Sequence, residues 1–180
     1  MSDSDFDFES IVISIPDYPE PGVVFKDVTP LFQDPSAFRA LVDAIADHFS
    51  TRGITKVVGA EARGFLIGPP VAYRLGAGFV PARKPGKLPR EVYTESYSLE
   101  YGTDELQIHR DALDGNDRVL IVDDLIATGG TAVAAARLAR KSGAEVVGFS
   151  FILELAFLNP REAIAKDFGN QEIFTLVPVQ

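Results

Sequence analysis

Cysteine is absent from this chain of 180 residues, so the protein forms no disulfide bond and holds no metal ion through thiolates. Only two histidines are present, which argues further against a transition-metal site. No apolar run reaches the roughly 20 residues that a membrane-spanning helix needs. Residues 1–9 are acidic where a secretory signal would be basic. We therefore expect a cytoplasmic protein that does not bind a membrane.

Positive charge is also scarce. The chain has 17 lysines and arginines against 26 aspartates and glutamates, which gives a net charge of -9. Such a balance argues against a nucleic-acid partner, because the phosphate backbone attracts basic surfaces. The length and the 46% hydrophobic content are those of one ordinary globular domain, and we expect a single domain over residues 1–180.

Two common nucleotide-binding loops are missing, since the chain contains neither Gly-Lys-Ser/Thr nor Gly-x-Gly-x-x-Gly. Residues 119–131 carry a different pattern. An apolar run at 119–122 predicts a buried strand, two aspartates follow it, and a loop of small residues at 127–131 leads into a predicted helix that ends at Ser142. The loop therefore lies where a strand ends and a helix begins.

This arrangement predicts a site for a phosphate and a sugar. Unpaired amides and the positive end of the helix dipole favour an anion at the loop, which consists of Ala127, Thr128, Gly129, Gly130 and Thr131. Asp123 and Asp124 would repel a phosphate, but they suit the vicinal hydroxyls of a ribose. We expect both carboxylates to stand in surroundings that are not buried or apolar. A solvated loop start and a simple turn explain each feature alone, whereas the combination favours the ligand site.

Residues 81–90 contain four cations and no acid, and Arg83, Lys84 and Lys87 are among the four. An exposed basic loop explains this segment equally well when it is taken alone. In an acidic chain with a phosphate loop elsewhere, contact with a diphosphate becomes the favoured interpretation.

The remaining pattern alternates strands and helices, which predicts an open, doubly wound α/β domain with a mostly parallel sheet. Asp34 and Pro35 have the residue types that begin a helix, and apolar residues follow at helical spacing. In such sheets ligands bind at the carboxyl ends of the strands, where we expect the loops at 61–64, 83–90 and 123–131 to converge. Further strands are predicted at 56–61, 77–82, 146–155 and 173–179, a short one around 106–108, and a helix at 65–75.

The segment 119–131 closely resembles the signature of the type I phosphoribosyltransferases, which bind 5-phosphoribosyl 1-pyrophosphate. Segments 21–30, 62–65, 83–89 and 97–102 occur in the order seen in the members of that family that act on adenine. The resemblance extends from about residue 16 to residue 155. It implies a small hood formed by about residues 1–33 over a core of about residues 34–180.

The resemblance also implies a reaction, in which adenine and 5-phosphoribosyl 1-pyrophosphate give AMP and pyrophosphate. In the family, backbone groups at Val24, Phe25 and Lys26 read the edge of adenine, and Phe25 and Leu155 cover its two faces. Glu100 would exchange the adenine proton, and Tyr101 would help to close the site. Lys26 stands where arginine is more usual.

For the leaving pyrophosphate, the resemblance implies Mg²⁺ that is held mainly by substrate and water, with no metal ligand from the protein. It implies a homodimer in which Arg83 reaches a neighbour's site. The Glu61-Ala62 pair replaces a more usual Asp-Ser. The residues expected to contact pyrophosphate are Glu61, Ala62, Arg63, Arg83, Lys84 and Lys87, and Arg63 would also act in catalysis.

Two expectations concern the N-terminal segment. The resemblance implies a helix within residues 6–15, although the β-branched run at 11–13 favours a strand. Residues 18–30 are rich in proline and glycine and predict no regular element, and they would expose Phe25. Two alternative functions stay open: transfer to another purine, such as xanthine or hypoxanthine, and a non-catalytic regulator that senses the phosphoribosyl ligand.

Overall fold

The computed structural model describes residues 6–98 and 102–180. Five helices are found in this part of the chain: α1 (Thr29–Gln33), α2 (Pro35–Phe49), α3 (Gly64–Leu75), α4 (Gly130–Lys141) and α5 (Pro160–Phe168). The strands are β1 (Ile13–Pro16), β2 (Val24–Asp27), β3 (Lys56–Ala60), β4 (Gly78–Ala82), β5 (Val92–Ser98), β6 (Thr103–His109), β7 (Arg118–Ile126), β8 (Glu145–Leu155) and β9 (Ile173–Val179).

A parallel sheet of five strands, in the order β4-β3-β7-β8-β9, forms the centre of the molecule. One hydrophobic core packs α2 and α3 against one face of this sheet, and a second core packs α4 and the β5–β6 hairpin against the other. The predicted α/β class with a mostly parallel sheet is confirmed. Among the described residues, no helix is both long and apolar enough to cross a bilayer.

The start of α2 shows how local chemistry sets an element. The Asp34 carboxylate accepts hydrogen bonds from the backbone amides of Ser36 and Ala37, at 2.9 and 2.7 Å, and Pro35 occupies the first turn. These bonds satisfy amides that have no partner within the helix. The predicted helix start is confirmed.

The N-terminal segment differs from the expectation. Only Glu9–Ile11 is helical, as one 3₁₀ turn, and β1 follows it, so the helix expected within 6–15 is wrong. Of the β-branched residues at 11–13, Ile11 ends the 3₁₀ turn, whereas Val12 is extended and Ile13 begins β1, as their strand preference predicts. The irregular structure expected over 18–30 is also wrong in part, because β2 and α1 form there, and β2 pairs antiparallel with β1. The turn is confined to residues 17–22, where Gly22 adopts a positive φ of 89°.

Two other strands differ from their predicted extent. β7 continues through Asp123 and Asp124 to Ile126, because β8 is eleven residues long and offers pairing partners as far as Glu154. The strand expected near 106–108 pairs with β5 in a separate antiparallel hairpin, outside the central sheet.

Candidate active site

A cavity of about 280 Å³ opens at the carboxyl ends of the central strands. The loop after β3 forms one side of it, and the end of β7 with the start of α4 forms the other. Two of the three loops expected to converge therefore do so. The residues that line the cavity are Glu61, Ala62, Arg63, Tyr97, Phe151 and those at 123–132.

The segment at 127–131 runs from the end of β7 into the first turn of α4, as the sequence predicted. Ala127, Thr128, Gly129, Gly130 and Thr131 all line the cavity, and α4 begins at Gly130. Gly129 precedes the helix with a φ of 87°, a left-handed conformation that side chains rarely adopt. The first turn of a twelve-residue helix and two threonines thus line the cavity, and such a helix N-terminus suits a phosphate.

Asp123 and Asp124 lie beside this loop, but they are not in the open surroundings that the sequence suggested. Asp124 is only 3% exposed, because both residues belong to a strand in the middle of the sheet. Burial raises the pKa of Asp123 well above its ordinary value, and the charge of Asp124 raises it further. Burial also raises the pKa of Asp124, although Arg63 opposes that effect. The pair therefore carries electrostatic strain that hydroxyl donors from a ligand would relieve.

Arg63 connects the two sides of the cavity. It stands at the N-terminus of α3, and its Nε atom lies 2.9 Å from an oxygen of Asp124. Its side chain is 48% exposed, whereas that of Asp124 is 4% exposed. The guanidinium therefore reaches from the rim of the cavity to the buried carboxylate, where it can contact an anion and neutralise the aspartate pair.

The other predicted cations lie beyond the lining of this cavity. Arg83 Nε is 2.9 Å from Glu61 Oε2, and the Lys84 amide donates to the same oxygen at 2.8 Å. The Lys84 ammonium contacts Asp104 and donates to the Tyr97 hydroxyl at 3.2 Å. Lys87 is exposed. Glu61 thus holds the start of the basic segment within its own chain.

The structure does not place the residues predicted to bind adenine in the lining of the main cavity. Val24, Phe25 and Lys26 lie in β2, and Leu155 is the last residue of β8. Phe25 is half-buried against Tyr18, with ring centroids 5.3 Å apart, so the expected exposure is wrong. Lys26 lines a smaller cavity together with residues of β8 and β9, so the β1–β2 hairpin lies against the ends of these strands.

Glu100 and Tyr101 lie outside the described residues, and their roles stay predictions. Sequence reasoning missed Tyr97, Leu125, Ile126, Ala132 and Phe151 as lining residues. Tyr97 begins one of the segments that carry the family resemblance, and this position could have identified it. Leu125 and Phe151 are apolar strand residues that nothing in the sequence distinguishes from the core.

Comparison with known proteins agrees with this geometry. The family model described as "Phosphoribosyl transferase domain" matches residues 27–179. The chain belongs to this family. A relative from Aeromonas salmonicida, named adenine phosphoribosyltransferase, is 55% identical over 150 residues, which cover 83% of each protein.

Solved structures show the same similarity. Adenine phosphoribosyltransferase from Thermoanaerobacter pseudethanolicus is 45% identical, with a TM-score of 0.89 and coverage of 96% of this chain and 98% of that one. The enzyme from Saccharomyces cerevisiae, solved with adenine and an imino-altritol bisphosphate, is 40% identical, with a TM-score of 0.87 and coverage of 94% and 96%. The relationship extends over nearly the whole chain.

Replacing Gly129 with alanine is expected to damage the phosphate loop. A Cβ atom there would lie 3.0 Å from the Pro160 carbonyl oxygen and 3.1 Å from the Ala163 side chain, on backbone with positive φ. Such strain costs on the order of 1–3 kcal/mol. The KM for 5-phosphoribosyl 1-pyrophosphate should rise more than tenfold in steady-state kinetics. Gly169→Ala is the control, because it also has positive φ but no neighbour within 4 Å, and it should leave this KM unchanged.

Proposed function

We propose that the protein transfers the 5-phosphoribosyl group from 5-phosphoribosyl 1-pyrophosphate to adenine, giving AMP and pyrophosphate. One observation carries the proposal: a helix N-terminus, the Asp123–Asp124 pair and Arg63 share one cavity. These groups suit the phosphate, the ribose and the diphosphate of one substrate. The adenine phosphoribosyltransferases that match nearly the whole chain support adenine as the acceptor.

The chemistry follows from the charges that develop when the bond at C1′ breaks. The ribose becomes positive and the departing pyrophosphate becomes more negative. Asp123 and Asp124 accept hydrogen bonds from the ribose hydroxyls and place negative charge near the developing cation. The amides at the start of α4 hold the 5′-phosphate, and Arg63 stabilises the leaving group. Catalysis is therefore mostly placement and electrostatic stabilisation.

Mg²⁺ fits this pocket as an ion held mainly by diphosphate oxygens and water. Magnesium prefers hard oxygen ligands. Asp123 and Asp124 line the same cavity and provide carboxylate oxygens beside the proposed ribose site. Bound there, the ion would neutralise part of the charge on the leaving group. Of the described residues, no three histidine, aspartate or glutamate side chains form a cluster that could hold a metal by themselves.

The acceptor must lose the proton of the ring nitrogen that forms the new bond. The resemblance assigns this proton to Glu100 and the closing of the site to Tyr101, which stand two and three positions after the last residue of β5 in the sequence. Ser98, the last residue of β5, places its carbonyl oxygen 3.2 Å from the position that a Cβ atom on Gly130 would take. Ser98 therefore lies beside the start of α4, and it precedes Glu100 by two positions in the sequence.

The base site is formed by the hairpin of β1 and β2. In the described part of the chain β2 pairs with β1 alone, so its other edge leaves backbone N–H and C=O groups for a ligand. A donor and an acceptor of fixed direction match the amino group and the ring nitrogen of adenine. Phe25 and Leu155 supply apolar surface for the ring.

We also propose a homodimer, in which α3 forms part of the interface. This helix exposes Tyr73 at 88% and Leu66 at 48%, and such exposed apolar side chains are typical of contact surfaces. The resemblance assigns Arg83 to the neighbour's site, although its observed contact is with Glu61 of the same chain.

The double variant Leu66→Glu/Tyr73→Glu is expected to shift the protein to monomers, because charges would be buried at the contact. Sedimentation velocity measures the shift. A matched Phe157→Glu/Leu158→Glu variant, which changes two other exposed apolar residues, should remain dimeric. A wild-type protein that sediments as a monomer would contradict the proposed dimer.

The proposed function is tested by the formation of AMP from adenine and 5-phosphoribosyl 1-pyrophosphate, followed by absorbance or chromatography. A regulator that only senses the phosphoribosyl ligand would bind it without turnover. Binding with no AMP formed at any Mg²⁺ concentration would favour that alternative.

A further inference from the structure

A carboxylate in a site for diphosphate requires an explanation. Glu61 lines the main cavity beside Arg63, where an uncompensated negative charge would repel the substrate. Its side chain is only 16% exposed, so water screens it weakly. The charge must therefore be offset by neighbouring groups of the protein.

Arg83 and the Lys84 amide offset the charge of Glu61, and both contact the same carboxylate oxygen. Glu61 Oε2 lies 2.9 Å from Arg83 Nε and accepts a hydrogen bond from the Lys84 amide at 2.8 Å. Burial alone would raise the pKa of Glu61, but the Lys84 amide and the Arg83 side chain outweigh it, and the pKa falls below its ordinary value. The exposed ammonium of Lys87 lowers the pKa of Glu61 as well. The carboxylate is thus ionised and bound at neutral pH.

The contact joins two loops that follow neighbouring parallel strands. Ala60 at the end of β3 pairs with Ala82 at the end of β4, and the Glu61 amide donates to the Ala82 carbonyl at 2.9 Å. The Glu61 side chain then contacts Arg83 and Lys84, the two residues that follow Ala82. The Arg83 backbone is held separately by Gln107 of β6, with hydrogen bonds of 2.8 and 2.7 Å, so the particular contribution of Glu61 is its contact with the Arg83 side chain and the Lys84 amide.

The same contact orients the Arg83 side chain. Glu61 engages Nε, while the other four N–H groups of a guanidinium lie on its two Nη atoms. The guanidinium carbon also lies 5.9 Å from the centroid of the Phe65 ring, which restricts it from a second direction. A guanidinium held in this way presents a fixed pair of donors, which matches the oxygens of a diphosphate.

We infer that Glu61 is a positioning residue for pyrophosphate, which acts by orienting the Arg83 side chain. This inference rests on the proposed function of the site. It gives the Glu61-Ala62 pair a specific role: the glutamate organises the cation that contacts the anionic substrate, and it does not itself contact that substrate.

The test is a double-mutant cycle of Glu61→Gln and Arg83→Ala, with kcat and the KM for each substrate measured in Mg²⁺ buffer. Glutamine keeps the length of the side chain and an oxygen for the Lys84 amide, but it removes the charge. Glu61→Gln should raise the KM for 5-phosphoribosyl 1-pyrophosphate about tenfold, the size expected for a charge-assisted hydrogen bond, and leave the KM for adenine unchanged. In the Arg83→Ala background the same change should have an effect below twofold.

Equal effects of Glu61→Gln with and without Arg83 would overturn the inference, and so would a lower KM, which would mean that repulsion by the carboxylate dominates. Glu172→Gln is the matched control. Glu172 pairs with Arg52 at the same distance of 2.9 Å, but it precedes β9 at the opposite end of the sheet, and its replacement should not change the kinetics. Isothermal calorimetry of 5-phosphoribosyl 1-pyrophosphate binding to the same four proteins repeats the cycle without turnover. If adenine is not the acceptor, turnover fails but the binding cycle still reports the coupling between Glu61 and Arg83.

Discussion

Hypoxanthine is expected to be used at least ~10⁴-fold less efficiently than adenine, when the two are compared by kcat/KM. Adenine presents an amino donor and a ring-nitrogen acceptor at the edge where hypoxanthine presents an oxygen acceptor and an N–H donor. Backbone groups on the outer edge of β2 have fixed directions, so the wrong base leaves both a donor and an acceptor unpaired. Buried polar groups without partners are costly, which is why such sites discriminate strongly.

The measurement is steady-state kinetics with adenine, hypoxanthine, guanine and xanthine at saturating 5-phosphoribosyl 1-pyrophosphate. Lys26→Arg is the control variant, because a change of side chain should not alter a site that is read through the backbone. Hypoxanthine turnover within tenfold of adenine turnover would reject adenine as the specific acceptor.

Asp123→Asn is expected to stabilise the free protein and to impair its turnover. Burial and the Asp124 charge raise the pKa of Asp123, so its ionised form opposes folding at neutral pH. Asparagine removes that charge, and its side-chain oxygen can still accept from the Asp124 amide, as Asp123 does at 2.9 Å. The same change weakens a charge-assisted bond to a ribose hydroxyl, a loss of ~1.5 to 3 kcal/mol that should appear in kcat/KM.

Calorimetry across pH tests the stability half of this prediction. A carboxyl group whose folded pKa is raised loses its stabilising contribution as pH rises, so the Tm advantage of Asp123→Asn should grow from acidic to neutral pH. Each kcal/mol should shift Tm by roughly 2–4 °C. Asp111→Asn is the control, because the hydrogen bond from Arg90 lowers the pKa of Asp111 instead of raising it. The Tm of this variant should not rise. A lower Tm for Asp123→Asn at neutral pH would contradict the account.

The parts of this molecule that local chemistry determines could be predicted from the sequence. The loop at 127–131 and the helix start at Asp34 and Pro35 need only their own residues, and both were located correctly. The extent of β7 could not be predicted in the same way, because its last residues are extended only where β8 offers them partners. The burial of Asp124 follows from that pairing, since a residue of a central strand is covered by its neighbours.

The contact between Glu61 and Arg83 was inaccessible for a different reason. The two residues are 22 positions apart, and they meet only because β3 and β4 end at the same level of the sheet. The sequence predicted that both Glu61 and Arg83 contact pyrophosphate, but it did not predict that Glu61 binds Arg83. Near the N-terminus, the local preference of the chain was the better guide, since β1 forms where the resemblance implied a helix.

The β1–β2 hairpin is a separate two-stranded sheet, whereas Asp123 and Asp124 belong to the central strand of the parallel sheet. The backbone groups proposed to read the acceptor and the carboxylates proposed to bind the donor therefore lie in separate sheets. On this proposal, a change of acceptor would fall mainly on the residues at 13–27 and on Leu155 of β8, while Asp123 and Asp124 stay unchanged. This division makes the hairpin the natural target for engineering, and for divergent evolution, of enzymes that attach ribose 5-phosphate to other heterocycles.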